Sequence, residues 1–174
     1  MIHSSLINQS LSVIIPTLNE AEHLPYTLNI VQTATNVETI IVDGGSLDAT
    51  VKVATSLGAR VISARAGRSH QMNLGANVAK GKILLFLHAD TCLPNNFDHL
   101  IRQTLLQPNV IAGAFELQID SKSFGLRLVE WGVKLRSHLF QMPYGDQAIF
   151  LKASLFQAIG GFPDLPIMED FELI

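Results

Sequence analysis

The chain has 174 residues, of which 48% are hydrophobic and 16% charged, and its formal net charge at pH 7 is −3. This length and apolar content suffice for one domain with a full core, and the absence of a basic excess argues against a nucleic-acid partner. A lone cysteine, Cys92, rules out a disulfide within the chain and is typical of a reducing compartment.

The first half of the chain alternates between short apolar runs and amphipathic segments. Apolar runs predict four buried strands, at 11–17, 38–43, 59–64 and 82–90. Helical spacing predicts helices between them, the first with Pro25 in its opening turn, the second capped near Ser46 and the third after Gly67. Strands that alternate with helices in this way predict an α/β fold with a mostly parallel central sheet, flanked by helices.

The pattern is less regular beyond Asn109. Two further strands are predicted at 109–119 and 146–151, and two helical segments at 123–140 and 153–162. Residues 168–174 have the pattern of a helix start with no element after it, so we expect a single domain that is truncated at its C-terminus. We divide it into a regular first half, residues 11–107, and an incomplete second half, residues 108–174.

Polar side chains follow each of the four strands predicted in the first half. They are Thr17, Asn19 and Glu20, then Asp43 and Ser46, then Arg65 and Arg68, and finally His88 and Asp90. Because ligands of parallel sheets bind outside the carboxyl ends of the strands, we expect these side chains to surround one site. Each also has an ordinary explanation by itself, such as a turn aspartate at Asp43 or solvated arginines at Arg65 and Arg68.

The run "LLFLHADT" ends on two residues that can bind a metal ion. His88 and Asp90 are two positions apart, so in an extended strand they point to the same side. A carboxylate oxygen suits Mg²⁺ or Mn²⁺, and imidazole suits Mn²⁺ better than Mg²⁺. The alternative is a histidine packed at a strand end and an aspartate that starts a turn. The neighbouring Cys92 is interpreted as a small buried apolar side chain.

The second half contains three acids and one amphipathic stretch of interest. Glu169 and Asp170 are either candidates for a general base or acids that a helix start favours. Asp146 either faces a ligand or belongs only to its turn. The stretch 123–140 is expected to pack in the core, with contact to a membrane surface as the alternative. Because the first ten residues do not resemble a signal peptide, we predict a cytoplasmic protein, with peripheral contact at the inner face of the membrane left open.

Five motifs together resemble those of a non-processive glycosyltransferase of family 2 with the GT-A fold. In chain order they are "SVIIPTLNE", "IIVDGGSLDAT", "GRSHQMNLGANVAKGKILLFLHADT", "PYGDQAIF" and "GGFPDLPIMED", and the resemblance runs over nearly all of the chain. It implies that residues 11–107 are a nucleotide-binding half and that residues 108–174 are an incomplete acceptor-side half. The resemblance implies a nucleotide-diphospho-sugar donor, a divalent metal ion (Mn²⁺ or Mg²⁺) and inverting transfer to an acceptor hydroxyl. The acceptor is a glycan, a lipid or a small molecule, and the resemblance does not choose among them.

The resemblance also implies a role for individual residues of this sequence. Pro16, Thr17 and Glu20 match positions that hold the nucleoside, Asp43 matches a nucleobase contact, and Arg68 matches a basic residue near the nucleotide. We add Asp146 to this donor-binding set.

The same resemblance implies which residues bind the metal ion and which residue is the general base. The metal-binding D-x-D motif falls on His88-Ala89-Asp90, with His88 in place of the first acid, so Asp90 is expected to be the main ligand. The late acidic pair falls on Glu169 and Asp170, with Asp170 as the general base.

Two other classes of function remain open at this stage. The chain could be a nucleotide-sugar-binding module without transferase activity, since its acceptor side is predicted to be incomplete. A different Rossmann-like enzyme, such as a methyltransferase, is a weaker interpretation because "VDGGS" lacks the further glycines that would support it.

Overall fold

The computed structural model of the chain describes residues 9–115 and 148–163. Their strands are β1 (Leu11–Thr17), β2 (Val37–Asp43), β3 (Arg60–Ser63), β4 (Ile83–Phe86), β5 (Ala112–Ala114) and β6 (Ile149–Lys152). Their helices are α1 (Leu24–Val31), α2 (Thr50–Ser56), α3 (Arg68–Val78), α4 (Phe97–Leu106) and α5 (Ala153–Ala158). The predicted helix at 123–140 lies outside the described residues.

The described strands form one sheet in the order β3-β2-β1-β4-β6-β5. The strands β1 to β4 are parallel to one another, whereas β6 runs antiparallel to both β4 and β5. The predicted α/β fold with a mostly parallel central sheet and flanking helices is therefore confirmed. Thr17 and Asp43 are partners in the β1–β2 register, which places the carboxyl ends of these two strands side by side.

Alternate residues of β1 pack into two apolar layers, one on each face of the sheet. Val13 and Ile15 belong to a layer with residues of α1 and α4, and Ile14 belongs to the opposite layer with residues of α3 and α5. On that second face α3 lies very close to β1, because a Cβ at Gly75 would be only 2.4 Å from Cγ2 of Ile14. This close packing fixes the N-terminus of α3 beside the end of β1.

Two predicted boundaries are wrong. The second helix begins at Thr50 and not near Ser46, because the Ser46 hydroxyl accepts a hydrogen bond from the amide of Asn19 (2.8 Å) instead of capping a helix. The fourth strand ends at Phe86 and not at Asp90. The first helix does begin as predicted, with Pro25 in its first turn. At Ser46, a contact distant in sequence thus replaces the predicted cap.

The interpretation of Cys92 as a buried side chain is also wrong, because this cysteine is exposed. Among residues 9–115 and 148–163, no helix has the length and apolar character needed to cross a bilayer.

A buried ion pair ties α4 to the amino ends of β1 and β2, opposite the carboxyl ends of the strands. Arg102 and Asp98 are each 2% exposed, and Nη1 of Arg102 lies 2.6 Å from Oδ2 of Asp98. Arg102 also donates to the carbonyl oxygens of Gln9 (2.9 Å) and Thr35 (2.6 Å), and the amide of Thr35 donates to Asp98 (3.3 Å). The pair therefore closes a network that holds three segments together.

Replacing Arg102 by Met is expected to lower the free energy of unfolding by about 3–5 kcal/mol, because it leaves the buried Asp98 carboxylate without its partner. Urea denaturation measures this change. The matched control is Gln103→Met on the exposed neighbouring position, which we expect to change stability by no more than about 0.5 kcal/mol. Equal stability of the two variants would show that the network does not stabilise the fold.

The same pair predicts a pH dependence. Burial alone would raise the pKa of Asp98, but the hydrogen bonds from Arg102 and Thr35 and the Arg102 charge outweigh it and hold the pKa below its ordinary value of 3.8. Since the folded pKa is the lower one, the stabilisation is present above about pH 4 and is lost as the pH falls through the folded pKa. The stability difference between the wild-type chain and Asp98→Asn should therefore shrink below that pH.

Candidate functional site

An open cleft of about 280 Å³ lies where β1 and β4 end and α3 begins. Six of the side chains predicted for the site line it, namely Pro16, Thr17, Glu20, Arg68, His88 and Asp90. They come from three separate segments, and the parallel sheet brings them together at its carboxyl edge. The structure thus brings these six predicted residues to one cleft, and their roles stay predictions. Asp43 and Arg65 are not among the lining residues.

Asp43 lies directly behind the cleft, beside Thr17, and is 4% exposed. Its Oδ2 accepts hydrogen bonds from the amides of Gly45 (3.0 Å) and Ser46 (3.1 Å), which is the turn role that the sequence offered as one interpretation. Its Oδ1 is buried without a hydrogen-bond partner. Within the described residues, the one other buried side-chain atom in that condition is Oγ1 of Thr17.

Two neighbouring buried oxygens without partners are costly, because each has lost its hydrogen bonds to water. The cost is offset if a bound molecule supplies the missing donors. Since Thr17 lines the cleft and is the register partner of Asp43, a ligand in the cleft is the natural source of those donors.

Gln71 is a central residue of the site that sequence reasoning missed. Its Nε2 donates to the carbonyl oxygens of Thr17 (3.0 Å) and Val42 (2.7 Å), and its Oε1 accepts from the amide of Gly67 (3.2 Å). One side chain thus joins the ends of β1 and β2 to the start of α3. The sequence gives only one weak indication of this role. Gln71 is a polar residue in the first turn of a helix, and that helix directly follows a glycine.

The loops that follow β1 and β2 are fastened to each other by side chains. Asn19 adopts a left-handed conformation (φ 58°) and its Oδ1 accepts from the amide of Leu47 (2.8 Å). The amide of Glu20 donates to the hydroxyl of Thr50 (2.8 Å). A side-chain hydrogen bond from Thr50 lowers the pKa of Asp48, whose carboxylate accepts from the amide of Ala21 (3.1 Å). This network holds Glu20 at the cleft.

His88 and Asp90 both line the cleft, but not as neighbours on an extended strand. Beyond Phe86 the chain bends into a turn in which the amide of Thr91 donates to the carbonyl oxygen of His88 (3.2 Å). The turn is anchored by the buried Thr27 of α1, whose hydroxyl donates to the carbonyl oxygen of Ala89 (2.6 Å). The premise of an extended strand is therefore wrong, whereas the prediction that both side chains face one site agrees with the structure.

The donor set at this turn fits a divalent cation of the kind that binds together with a diphosphate. Asp90 is exposed to the cleft and His88 is half-buried. In residues 9–115 and 148–163, no group of three or more His, Cys, Asp or Glu side chains is placed to hold a metal ion. A cation that keeps waters and takes ligands from a substrate phosphate needs only one or two protein carboxylates.

Arg68 is the first residue of α3, directly after Gly67, whose φ of 142° is reserved for glycine. Its guanidinium and the first amides of an 11-residue helix adjoin the same cleft, an arrangement that favours anions. The remaining predicted residues, Asp146, Glu169 and Asp170, lie outside the described residues, and their roles stay predictions.

Several curated proteins are similar to this chain in sequence. It is 35% identical over 168 residues to the PGL/p-HBAD biosynthesis glycosyltransferase of Mycobacterium bovis, covering 87% of the chain and 62% of that protein. It is 38% identical over 96 residues to the 4,4'-diaponeurosporenoate glycosyltransferase of Staphylococcus haemolyticus, covering 50% of the chain and 26% of that protein. The chain thus spans less than two thirds of the length of these relatives.

Solved structures show the same fold. The mannosyltransferase of Pyrobaculum calidifontis, in complex with GDP-Man and Mn²⁺, matches 95% of the chain and 51% of its own length with a TM-score of 0.74 and 21% identity. TarS 1-349 of S. aureus, in complex with UDP, matches 94% of the chain and 53% of its own length with a TM-score of 0.76 and 18% identity. At these identities the likeness establishes the GT-A fold.

The sequence model of the family Glycosyl transferase family 2 matches residues 12–155. That range contains β2 to β4, all of β1 except its first residue, and every described residue that lines the cleft. Since the match extends over much more than half of the sequence, the chain belongs to glycosyl transferase family 2.

Proposed function

We propose that the chain binds a nucleoside-diphosphate sugar in the cleft and transfers the sugar to an acceptor hydroxyl with inversion, assisted by a divalent metal ion. The observation that carries this proposal is the convergence in one cleft of a helix N-terminus with Arg68, the His88–Asp90 turn and the end of β1. This combination offers separate places for a diphosphate, a cation and a nucleoside.

The nucleoside is placed against Thr17 and Asp43. The unpartnered Oδ1 of Asp43 accepts a hydrogen bond from an N–H group of the nucleobase, and Thr17 Oγ1 gains a partner from the nucleoside. Hydrogen bonds to a charged acceptor are worth about 1.5–3 kcal/mol. Gln71 keeps the two strand ends at a fixed separation while the ligand binds. Pro16 and Glu20 complete this wall of the cleft.

The diphosphate is placed between the start of α3 and the turn after β4. Arg68 supplies a guanidinium and the helix supplies amides and the positive end of its dipole. Asp90, together with His88, would hold Mn²⁺ or Mg²⁺, which when bound neutralises charge on the leaving diphosphate. The Pyrobaculum calidifontis mannosyltransferase contains Mn²⁺ with GDP-Man, and a structure of glucosyl-3-phosphoglycerate synthase from Mycobacterium tuberculosis contains Mn²⁺ with UDP, which supports the assignment.

Asp170 is proposed as the general base and Glu169 as its acidic neighbour, on the resemblance of "GGFPDLPIMED" to the family's motif. The carboxylate takes the proton of the acceptor hydroxyl as the oxygen attacks the anomeric carbon. The new carbon–oxygen bond forms on the face opposite the departing nucleoside diphosphate, so the configuration inverts. Asp146 is placed with the donor-binding residues.

The acceptor is a glycan, lipid or small molecule that carries a free hydroxyl. We place the protein in the cytoplasm, where nucleotide sugars are available to it, with the inner face of the membrane as the site of any lipid acceptor. The stretch 123–140, on which the sequence argument for membrane contact depends, lies outside the described residues.

A nucleotide-sugar-binding module without transferase activity is the second candidate, because the predicted site residues that line the described cleft are assigned to donor and metal binding, whereas the proposed base lies outside the described residues. An assay of nucleoside diphosphate release distinguishes the transferase from the binding module. The chain is incubated with GDP-mannose, UDP-glucose or UDP-N-acetylglucosamine, with and without Mn²⁺ and a panel of alcohol acceptors. Acceptor-dependent release supports the transferase, whereas binding without release for every pair supports the module.

A further inference from the structure

Asn73 of α3 makes a paired contact with the backbone of a single distant residue. Its Nδ2 donates to the carbonyl oxygen of Phe162 (2.8 Å), and its Oδ1 accepts from the amide of Phe162 (2.9 Å). One amide side chain therefore satisfies both backbone groups of Phe162. The two residues are 89 positions apart in the chain, so the contact is not a consequence of local helix or turn geometry.

The segment before Phe162 is shaped to fit this contact. Gly160 and Gly161 have φ values of 85° and 80°, a left-handed conformation that glycine adopts without strain. A Cβ at Gly161 would lie 2.6 Å from Oδ1 of Asn73, so any larger residue would collide with the atom that receives the Phe162 amide. The glycine pair thus brings the chain close enough to α3 for both hydrogen bonds.

The side chain of Phe162 is fixed as firmly as its backbone. It is 3% exposed, and its ring centroid lies 4.8 Å from that of Phe86 and 5.3 Å from that of Phe156. Phe86 is the last residue of β4, two positions before His88. Asn73 lies on the helix that presents Arg68 and Gln71 to the cleft. Phe162 is therefore held by the same strand and the same helix that build the donor site.

We propose that Asn73 is a positioning residue, which fixes through Phe162 the chain segment that precedes the Glu169–Asp170 pair in sequence. This inference rests on the proposed function, in which Asp170, eight residues after Phe162, is the general base. It predicts that loss of the contact affects turnover much more than donor binding, because the donor cleft keeps all of its own side chains. A contact that merely stabilised the fold would not separate these two quantities.

The test compares Asn73→Ala with Asn77→Ala, an exposed asparagine one turn later on the same helix. The dissociation constants of UDP and GDP in the presence of Mn²⁺ are expected to stay within about twofold of wild type in both variants. For the nucleotide sugar that the wild-type chain turns over, kcat is expected to fall roughly 10- to 100-fold in Asn73→Ala and to be unchanged in Asn77→Ala. Asn73→Asp, which retains the acceptor for the Phe162 amide but places a carboxylate oxygen against the Phe162 carbonyl oxygen, should also lower kcat.

Hydrogen exchange provides a readout that does not depend on activity. The Phe162 amide should exchange faster in Asn73→Ala than in wild type, whereas amides of β2 should not change. Unchanged exchange, an unchanged kcat in both Asn73 variants, or a parallel loss of nucleotide affinity and kcat would overturn the inference. Failure of the proposed function looks different, since the wild-type chain itself would then bind no nucleotide, or would bind it without any acceptor-dependent release of nucleoside diphosphate.

Discussion

Replacing Asp170 by Asn is expected to reduce the rate of sugar transfer by about 10²–10⁴-fold, the usual contribution of a general base. The amide nitrogen and oxygen of asparagine cannot take a proton from the acceptor hydroxyl, although the side chain keeps its size. Nucleotide affinity should be nearly unchanged, because the donor is held by residues of the cleft at the ends of β1 and β4 and the start of α3. The rate is measured as acceptor-dependent release of nucleoside diphosphate.

The matched control for this substitution is Glu172→Gln, which removes an acid two positions later in the same segment. We expect its rate to stay within about twofold of wild type. Glu169→Gln shows whether the other member of the pair contributes, and its loss should be smaller than that of Asp170→Asn. Undiminished turnover in Asp170→Asn would rule out this base.

Replacing Asp90 by Asn is expected to weaken the binding of Mn²⁺ in the presence of nucleoside diphosphate and to lower the transfer rate by roughly 10²–10³-fold. The figure corresponds to about 3–4 kcal/mol of lost charge stabilisation on the leaving diphosphate. Asp90 is the exposed carboxylate of the turn that Thr27 anchors, so its substitution leaves the fold of the turn in place. Calorimetric titration of Mn²⁺ into the chain saturated with UDP or GDP measures the affinity directly.

Two further variants make the Asp90 result specific. Glu22→Gln removes an exposed acid that does not line the cleft and should leave Mn²⁺ affinity unchanged. His88→Ala should weaken Mn²⁺ less than Asp90→Asn does, in line with Asp90 as the main ligand. If Asp90→Asn binds Mn²⁺ as tightly as Glu22→Gln, the carboxylate at the end of β4 is not the metal ligand.

Much of the fold could be predicted because it depends on patterns within short segments. Apolar runs separated by segments with helical spacing were enough to predict the parallel strands β1 to β4. Ligands of parallel sheets bind at the carboxyl ends of the strands, and this rule was enough to predict that Thr17, Arg68 and Asp90 lie around one cleft. Pro25 located the start of α1 because its ring excludes all but the first turn of a helix.

The remaining features depend on contacts that no local pattern contains. Ser46 is a residue type that commonly caps a helix, but its hydroxyl accepts a hydrogen bond from the amide of Asn19 in the loop after β1. The sequence alone does not show that these two loops lie side by side. The turn after β4 is anchored by a threonine of α1, and the role of Gln71 arises only once two strand ends lie beside its helix. Such cross-connections concentrate at the site because loops there must be held in fixed positions.

Asp43 shows why alternatives at the sequence level need not exclude each other. The turn interpretation and the ligand interpretation were set against each other as explanations of one side chain. In the structure the turn uses Oδ2 alone, and Oδ1 stays buried without a partner. The two oxygens of the carboxylate can therefore serve both purposes, one for the loop and one for a bound nucleobase.

The most direct test of the central claim is a calorimetric titration of UDP and GDP into the chain, with and without Mn²⁺. We predict that at least one nucleotide binds, more tightly with Mn²⁺, and that Asp43→Asn weakens it roughly 10-fold or more by placing an NH₂ group where Oδ1 accepts. Binding of pyrophosphate, which has no base, should not respond to that substitution. If no nucleotide binds under any of these conditions, the cleft is not a nucleotide-sugar site and the proposed function is wrong.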